Sequence, residues 1–164
     1  EKTSWRTVRD EKPHFSQSDV DSGIRAEVLV DGHFGYAGTS DISSEGIARA
    51  VQKAHSLARA AARYKVHSFS TQERPANKGE YRSPRSQGLD QLSLAALYDV
   101  LVSSTREMKL SDQIVSRKAS SMIVETEMSY VSSNGAKIFQ NFNIVSNALE
   151  ATAQEGAVVQ SRSE

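Results

Sequence analysis

Apolar and polar positions alternate from Gly23 onward, with Ile24, Ala26, Val28 and Val30 on one side and Arg25, Glu27 and Leu29 on the other. A period of two is what a strand with one buried face requires. Asp31-Gly32 follows, and His33-Phe34-Gly35-Tyr36-Ala37-Gly38 returns as a second strand. Asp-Gly between two such runs predicts a hairpin, because a primed two-residue turn needs positive φ. Gly35 and Gly38 in the return strand predict close backbone approach or a bulge. Two shorter mixed runs, Ser4 to Asp10 and Phe15 to Val20, predict half-exposed strands ahead of this hairpin.

The period then changes. Asp41, Ser43 or Ser44 can cap a helix, Glu45 suits its first turn, and Ile47, Val51, Ala54, Ala58 and Ala61 recur at three and four. This predicts an amphipathic helix over Glu45 to Arg63, with a narrow alanine-rich face for close packing on a sheet. Residues 66–91 hold Pro75 and Pro84 and little periodicity, and predict a long surface loop with a short strand near Tyr81. A second helix is predicted from Ser93, with Leu92 and Leu97 at staple spacing and Leu94, Leu97, Leu101 and Met108 along one face.

Strand periodicity returns from Ile114 to Tyr130, where Met122, Val124, Thr126 and Met128 alternate with Ile123, Glu125 and Glu127. Met122 and Met128 are expected to fill core. Ser133-Asn134-Gly135 makes a turn, Ile138 to Thr152 a partner strand, and Gly156 to Val159 the start of a third. The order strands, helix, loop, helix, strands predicts an α+β fold. Its mainly antiparallel sheet comes from the N- and C-terminal hairpins, with two main helices packed against it. The 164 residues are expected to form a single domain.

Charge refines this picture. The formal net charge is zero, but residues 1–48 carry −4, residues 49–85 carry +7 and residues 86–164 carry −3. Arg49, Lys53, Arg59 and Arg63 make a basic patch on the first helix that could meet nucleic acid or an acidic partner by counterion release. The simpler reading is a solvated helix face, since the stretch has few aromatics and no nucleic-acid motif. No run reaches the roughly 18 apolar residues of a membrane span, so no membrane association is expected.

Little catalytic chemistry is readable. The chain has no cysteine, which excludes a thiol nucleophile and Cys-ligated metal. His14, His33, His55 and His67 show no metal-ligand spacing. Glu125 and Glu127 share a strand face but read as the polar side of a half-exposed strand, and Asp19 and Asp21 near a turn, and Asp10-Glu11, read the same way. No Gly-x-Ser-x-Gly elbow is present, so neither catalytic nor metal-binding residues are assigned.

Three segments together resemble the TldD/PmbA family, zinc proteases once called modulators of DNA gyrase. They are Ser22-Gly23-Ile24-Arg25 through Asp31-Gly32-His33-Phe34-Gly35-Tyr36-Ala37-Gly38-Thr39-Ser40-Asp41-Ile42-Ser43, the alanine-rich helix from Glu45 to Arg63, and the turn Ser132-Ser133-Asn134-Gly135-Ala136 between two long strands. Trp5 ahead of Arg9-Asp10 looks more like the TldD branch than the PmbA branch. The resemblance implies that residues 1–164 are the N-terminal domain of a longer cytoplasmic chain. Zinc is expected in a C-terminal domain, on a His-Glu-x-x-x-His helix that this sequence lacks, and no cofactor in this part.

It further implies a homo- or heterodimer with a TldD/PmbA-type subunit, contact with the chain's own C-terminal domain, and an extended, unfolded or modified peptide as substrate. On that reading this domain is non-catalytic and helps form the peptide-access chamber. A peptide could add to a sheet edge, for which Gly32, His33, Gly35 and Gly38 are the candidates. The alternative is an interaction module that binds nucleic acid or a topoisomerase through residues 49–85.

Overall fold

The computed structural model describes residues 1–64, 67–70, 75–84, 91 and 93–164. The elements run β1 (Lys2–Arg9), β2 (Lys12–Val20), β3 (Ile24–Val30), β4 (His33–Thr39), α1 (Ser44–Ala61), β5 (Lys78–Arg82), α2 (Leu94–Glu107), β6 (Ile114–Val131), β7 (Lys137–Glu155) and β8 (Val158–Ser163). Six strands form one sheet in the order β2-β1-β6-β7-β5, with β8 also paired to β7, and β3 and β4 form a sheet of their own. The fold is therefore α+β and mostly sheet, with the strands in two sheets rather than one.

The chain divides into two compact units. One holds residues 1–20, 81–128 and 140–164, the other residues 21–80 and 129–139. In the first, β1 pairs antiparallel with both β2 and β6. Its core is Val8 of β1, Leu101 of α2 and Ala119 of β6, with Leu97, Tyr98 and Val102 packed around them. The β1–β2 turn places Asp10 and Glu11 at positive φ, which non-glycine residues adopt only when held there. Asp10 accepts from the backbone N–H of Arg117 at 2.9 Å and pairs with its guanidinium at 3.2 Å. The Glu11 N–H donates to the buried Thr105 hydroxyl at 3.1 Å, and its carboxylate pairs with Arg106. These carboxylates secure a turn, where the sequence had suggested the polar face of a half-exposed strand.

The second unit is built on small residues. Asp31 and Gly32 both take positive φ, so the two-residue primed turn forms and β3 and β4 pair in unbroken register from Val30↔His33 to Ile24↔Thr39. Gly46, Ala50, Ala54 and Ala58 form the buried face of α1. The expected stripe of Ile47, Val51, Ala54, Ala58 and Ala61 is rotated towards those smaller residues, and Val51 is left 43% exposed. Close helix–sheet approach selects residues without bulk, so apolar size was the wrong guide to this face.

Two other expectations are corrected. Leu94 is 51% exposed at the start of α2, whose buried residues are Leu101 and Thr105. Met122 and Met128 are 37% and 48% exposed rather than core. The buried side of β6 is the opposite parity, Ala119, Ser121 and Ile123. The Leu92 staple and the basic residues Lys65, Arg74 and Arg85 lie outside the described residues. The short strand near Tyr81 is β5, and the third C-terminal strand is β8. No helix among the described residues is long and apolar enough to cross a membrane.

The start of α1 carries a pH-dependent cap. Ser43 is the N-cap, its hydroxyl accepting from the Gly46 N–H at 3.1 Å. Hydrogen bonds from Ser43, from its side chain and then its backbone N–H, hold the Asp41 carboxyl below the usual carboxylate range, and Arg49 at 2.5 Å adds to this. A depressed folded-state value means that the stabilisation is present above the unfolded value of 3.8 and is lost as pH falls through the folded one. Protection of the Gly46 and Ile47 amides, taken relative to their intrinsic exchange rates at each pH, is expected to fall on acidification through that value. In Asp41→Asn the same amides should be less protected already at neutral pH, and that protection should no longer depend on acid.

Candidate functional site: the β3–β4 hairpin and its two concavities

Alternation along β4 gives its two faces different work. His33, Gly35 and Ala37 are buried, while Tyr36 and Gly38 are exposed and Phe34 is half-buried. Gly35 lies against α1: a Cβ there would overlap the Ala54 carbonyl oxygen and crowd the Ala58 nitrogen. Gly35 thus seats the helix backbone on the strand. Gly38 has open room and pairs with Arg25 across the hairpin. Gly32 closes the turn, and its carbonyl accepts from the Phe69 N–H at 2.8 Å.

His33 is 91% buried at the end of the sheet. Its Nδ1 lies 2.9 Å from the Asp31 carbonyl oxygen, which can only accept, so Nδ1 is the donor of this bond. Nε2 is buried and has no hydrogen-bond partner. The ring borders a concavity of about 530 Å³ shared with Phe34, Tyr36, Tyr64, His67 and Phe69. Aromatic contacts organise this wall: Phe34 stacks on Tyr36 at 6.1 Å, Phe69 meets Phe34 at 5.1 Å, and His67 meets Phe69 edge-on at 4.7 Å. The Arg25 guanidinium lies 4.7 Å from the centre of the Tyr36 ring.

A second concavity, of about 410 Å³, also has Phe34 in its lining. Its walls are the face of β3 carrying Arg25, Glu27 and Leu29, and the β6–β7 hairpin tip from Ser129 to Asn134. The tip is fixed by its own bonds: Ser132 Oγ donates to Asn134 Oδ1 and accepts from the Ala136 N–H at 3.2 Å, with Gly135 at φ +95°. The linings of the two concavities, among the described residues, combine aromatic faces with the Arg25 guanidinium and the Glu27 carboxylate. Among the described residues, no three His, Asp or Glu side chains gather as a metal set. The donors here do not fit a zinc ion.

The basic patch is placed on the solvent side of α1 and just beyond it. Arg49, Lys53, Arg59 and Arg63 are all exposed, and Arg49 is engaged by Asp41. Sequence reasoning did not anticipate the aromatic cluster. Phe34 and Tyr36, two apart on one strand, were its readable signal, but Phe69 joins them from a segment with no periodicity.

Residues 2–58 match the family model for the PmbA/TldA metallopeptidase domain 1. The sequence match is to the TldD/PmbA family. Solved structures give the same answer for the fold. A candidate modulator of DNA gyrase from Bacteroides thetaiotaomicron aligns with a TM-score of 0.72 at 17% identity, covering 99% of this chain and 37% of that one. A second candidate modulator of DNA gyrase, from Thermotoga maritima, aligns with a TM-score of 0.63 at 16% identity, covering 99% and 36%. TldE from Thermococcus kodakarensis aligns with a TM-score of 0.64 at 15% identity, covering 99% and 37%. At such identities the likeness is one of fold, and the chain spans little more than a third of each of these relatives. No curated protein matches the sequence. The TldD/PmbA match covers β1 to most of α1, which includes the Asp31-Gly32 turn and the glycine seat of α1.

Proposed function

We propose that this chain serves as a non-catalytic N-terminal domain of a TldD/PmbA-like zinc metallopeptidase and helps form the access chamber for unfolded or modified peptides. The observation that supports this most directly is the concavity between the outer face of β3 and the 129–134 tip, which shares Phe34 with its aromatic neighbour. An extended peptide presents side chains alternately to either side and backbone groups between them. A surface with aromatic walls, mixed charge and strand edges can hold such a chain by shape rather than sequence. In this reading the protein works in the cytoplasm as a homo- or heterodimer. Zinc and the hydrolytic residues come from a C-terminal domain, which packs with this one.

The test is a titration of the chain with a fluorescent, reduced and carboxymethylated peptide. Weak saturable binding is expected, reduced about five- to tenfold in Phe34→Ala, in line with loss of one aromatic anchor. Neutralising Arg49, Lys53, Arg59 and Arg63 should leave peptide binding unchanged. Zinc bound at one equivalent per chain, or peptide binding indifferent to Phe34, would sink the reading. Salt-sensitive DNA binding lost with the four basic residues would favour a nucleic-acid module instead.

A further inference from the structure

Accessible aromatic rings gather beside the β3–β4 turn. Apart from Ala61, every residue lining the concavity of about 530 Å³ carries a ring. Phe34 is half-buried, and Tyr36, Phe69 and Tyr64 are 40%, 42% and 82% exposed. Rings left in water forgo the burial that would stabilise them, so several around one concavity mark a surface that is covered in use. The wall is built before any ligand arrives. The Phe69 N–H donates to the Gly32 carbonyl at 2.8 Å, which ties its segment to the primed turn. Phe69 then meets Phe34 at 5.1 Å and His67 at 4.7 Å, while Phe34 meets Tyr36 at 6.1 Å. These separations lie within the roughly 4.5–7 Å of attractive ring pairs. The interplanar angles of 30°, 51° and 78° let the array accept a further ring stacked or edge-on.

The chemistry of the lining narrows the occupant. Among the described residues it holds no Asp, Glu, Lys or Arg. A carboxylate or ammonium moved into it from water would lose hydration without gaining a counter-ion. A cation would also meet the Arg25 guanidinium, which already lies 4.7 Å from the centre of the Tyr36 ring. His33 contributes a ring wall and no hydrogen bond, since its Nε2 is enclosed. An aliphatic side chain would bury area here but leave the ring pairings unused. The volume falls in the range of about 300–1,000 Å³ that holds drug-sized ligands, so even an indole has room.

We propose that this concavity takes the side chain of an aromatic residue, Phe, Tyr or Trp, from an extended peptide. This names a substrate class for the peptide-holding surface and rests on that reading. Phe34 also lines the concavity beside β3, so one peptide can occupy both.

Calorimetric titration of the chain with acetyl-Gly-Ser-X-Ser-Gly-amide, where X is Trp, Phe, cyclohexylalanine, Lys or Asp, tests this. Saturable binding is expected for Trp and Phe. Cyclohexylalanine, which has the apolar bulk of Phe without its π face, should bind about tenfold more weakly, and Lys and Asp not at all. Phe69→Leu keeps an apolar side chain and should bring Phe and cyclohexylalanine to within about twofold of each other. Tyr64→Ala, at a position mostly in solvent, should weaken Trp binding about threefold or more with an unchanged melting temperature, which separates site loss from misfolding. Acetyl-Trp-amide binding as tightly as the Trp peptide would support the pocket while sinking the chamber reading, because the peptide backbone would then add nothing. Equal binding of all the peptides, still reduced in Phe34→Ala, would overturn the aromatic pocket and leave the chamber reading standing. Tightest binding of the Lys peptide, aromatic binding undiminished in both variants, or no saturation by any peptide at millimolar concentration would also overturn the proposal.

Discussion

Gly35→Ala is expected to destabilise the unit built on β3, β4 and α1 by about 3 kcal/mol or more, at the upper end of overpacking costs. The reason is what the added methyl meets. A Cβ at this position would overlap the carbonyl oxygen of Ala54 and crowd the backbone nitrogen of Ala58. Both belong to the backbone of α1, so no side chain can rotate away, and the helix must lift from the strand. Lifting it would open the contacts of Ala50 and Ala54 with Ala37, Ala26 and Val28, the apolar core of this unit. Gly38→Ala is the matched control. Its new methyl would find only the Ile24 carbonyl oxygen at 3.8 Å, ordinary contact, so stability should stay within about 1 kcal/mol and can rise through lower unfolded-state entropy. Denaturant unfolding followed by amide exchange on Ala37, Ala50 and Ala54 reads both. A Gly35→Ala protein as stable as its parent would refute the seat assigned to this glycine.

The contrast between these glycines shows what the sequence could and could not convey. The Asp31-Gly32 turn was legible because its chemistry is local: two residues at positive φ between alternating runs. The seat at Gly35 was foreseeable only as close approach of something. Which element would approach depends on α1 returning over the sheet, a fact of tertiary structure. The rotated face of α1 has the same origin. Ile47 and Val51 dominate its hydrophobic pattern, yet the strand surface admits only Gly46, Ala50, Ala54 and Ala58 at short range.

In β6 the error was one of parity. Met122, Val124 and Met128 looked like the inner face, but α2 covers the side bearing Ala119, Ser121 and Ile123, where small and polar residues hide the periodic signal. The candidate site divides similarly. His33 and Phe34 could be placed beside a turn from sequence. The approach of Phe69 to Phe34 and of the 129–134 tip to β3 could not, because each brings together segments with no shared local pattern.

Leu101→Ala should produce the other large loss of stability, about 3 kcal/mol within the usual range for an aliphatic core truncation. Leu101 is 4% exposed and lies in one cluster with Val8 of β1 and Ala119 of β6. Those strand residues are a registered pair, so one side chain from α2 covers a two-strand step of the sheet. Ala119 has no methylenes to extend into the vacated space, and Val8 is fixed in one rotamer by its branch, so little collapse is available and the cavity term remains. One turn further along α2, the Thr105 hydroxyl donates to the Val102 carbonyl at 2.9 Å while it accepts from the Glu11 N–H. Displacement of α2 at Leu101 would therefore loosen the clamp on the strained Asp10-Glu11 turn. The cost should exceed that of Leu94→Ala, which sits on the same helix but half in solvent and should stay within about 1 kcal/mol. Chemical denaturation of the two variants gives the comparison directly: similar midpoints would mean that α2 is not anchored through Leu101. A wide gap, with faster exchange at the Glu11 and Arg117 amides in Leu101→Ala alone, would tie the helix, the sheet and the turn into one cooperative structure.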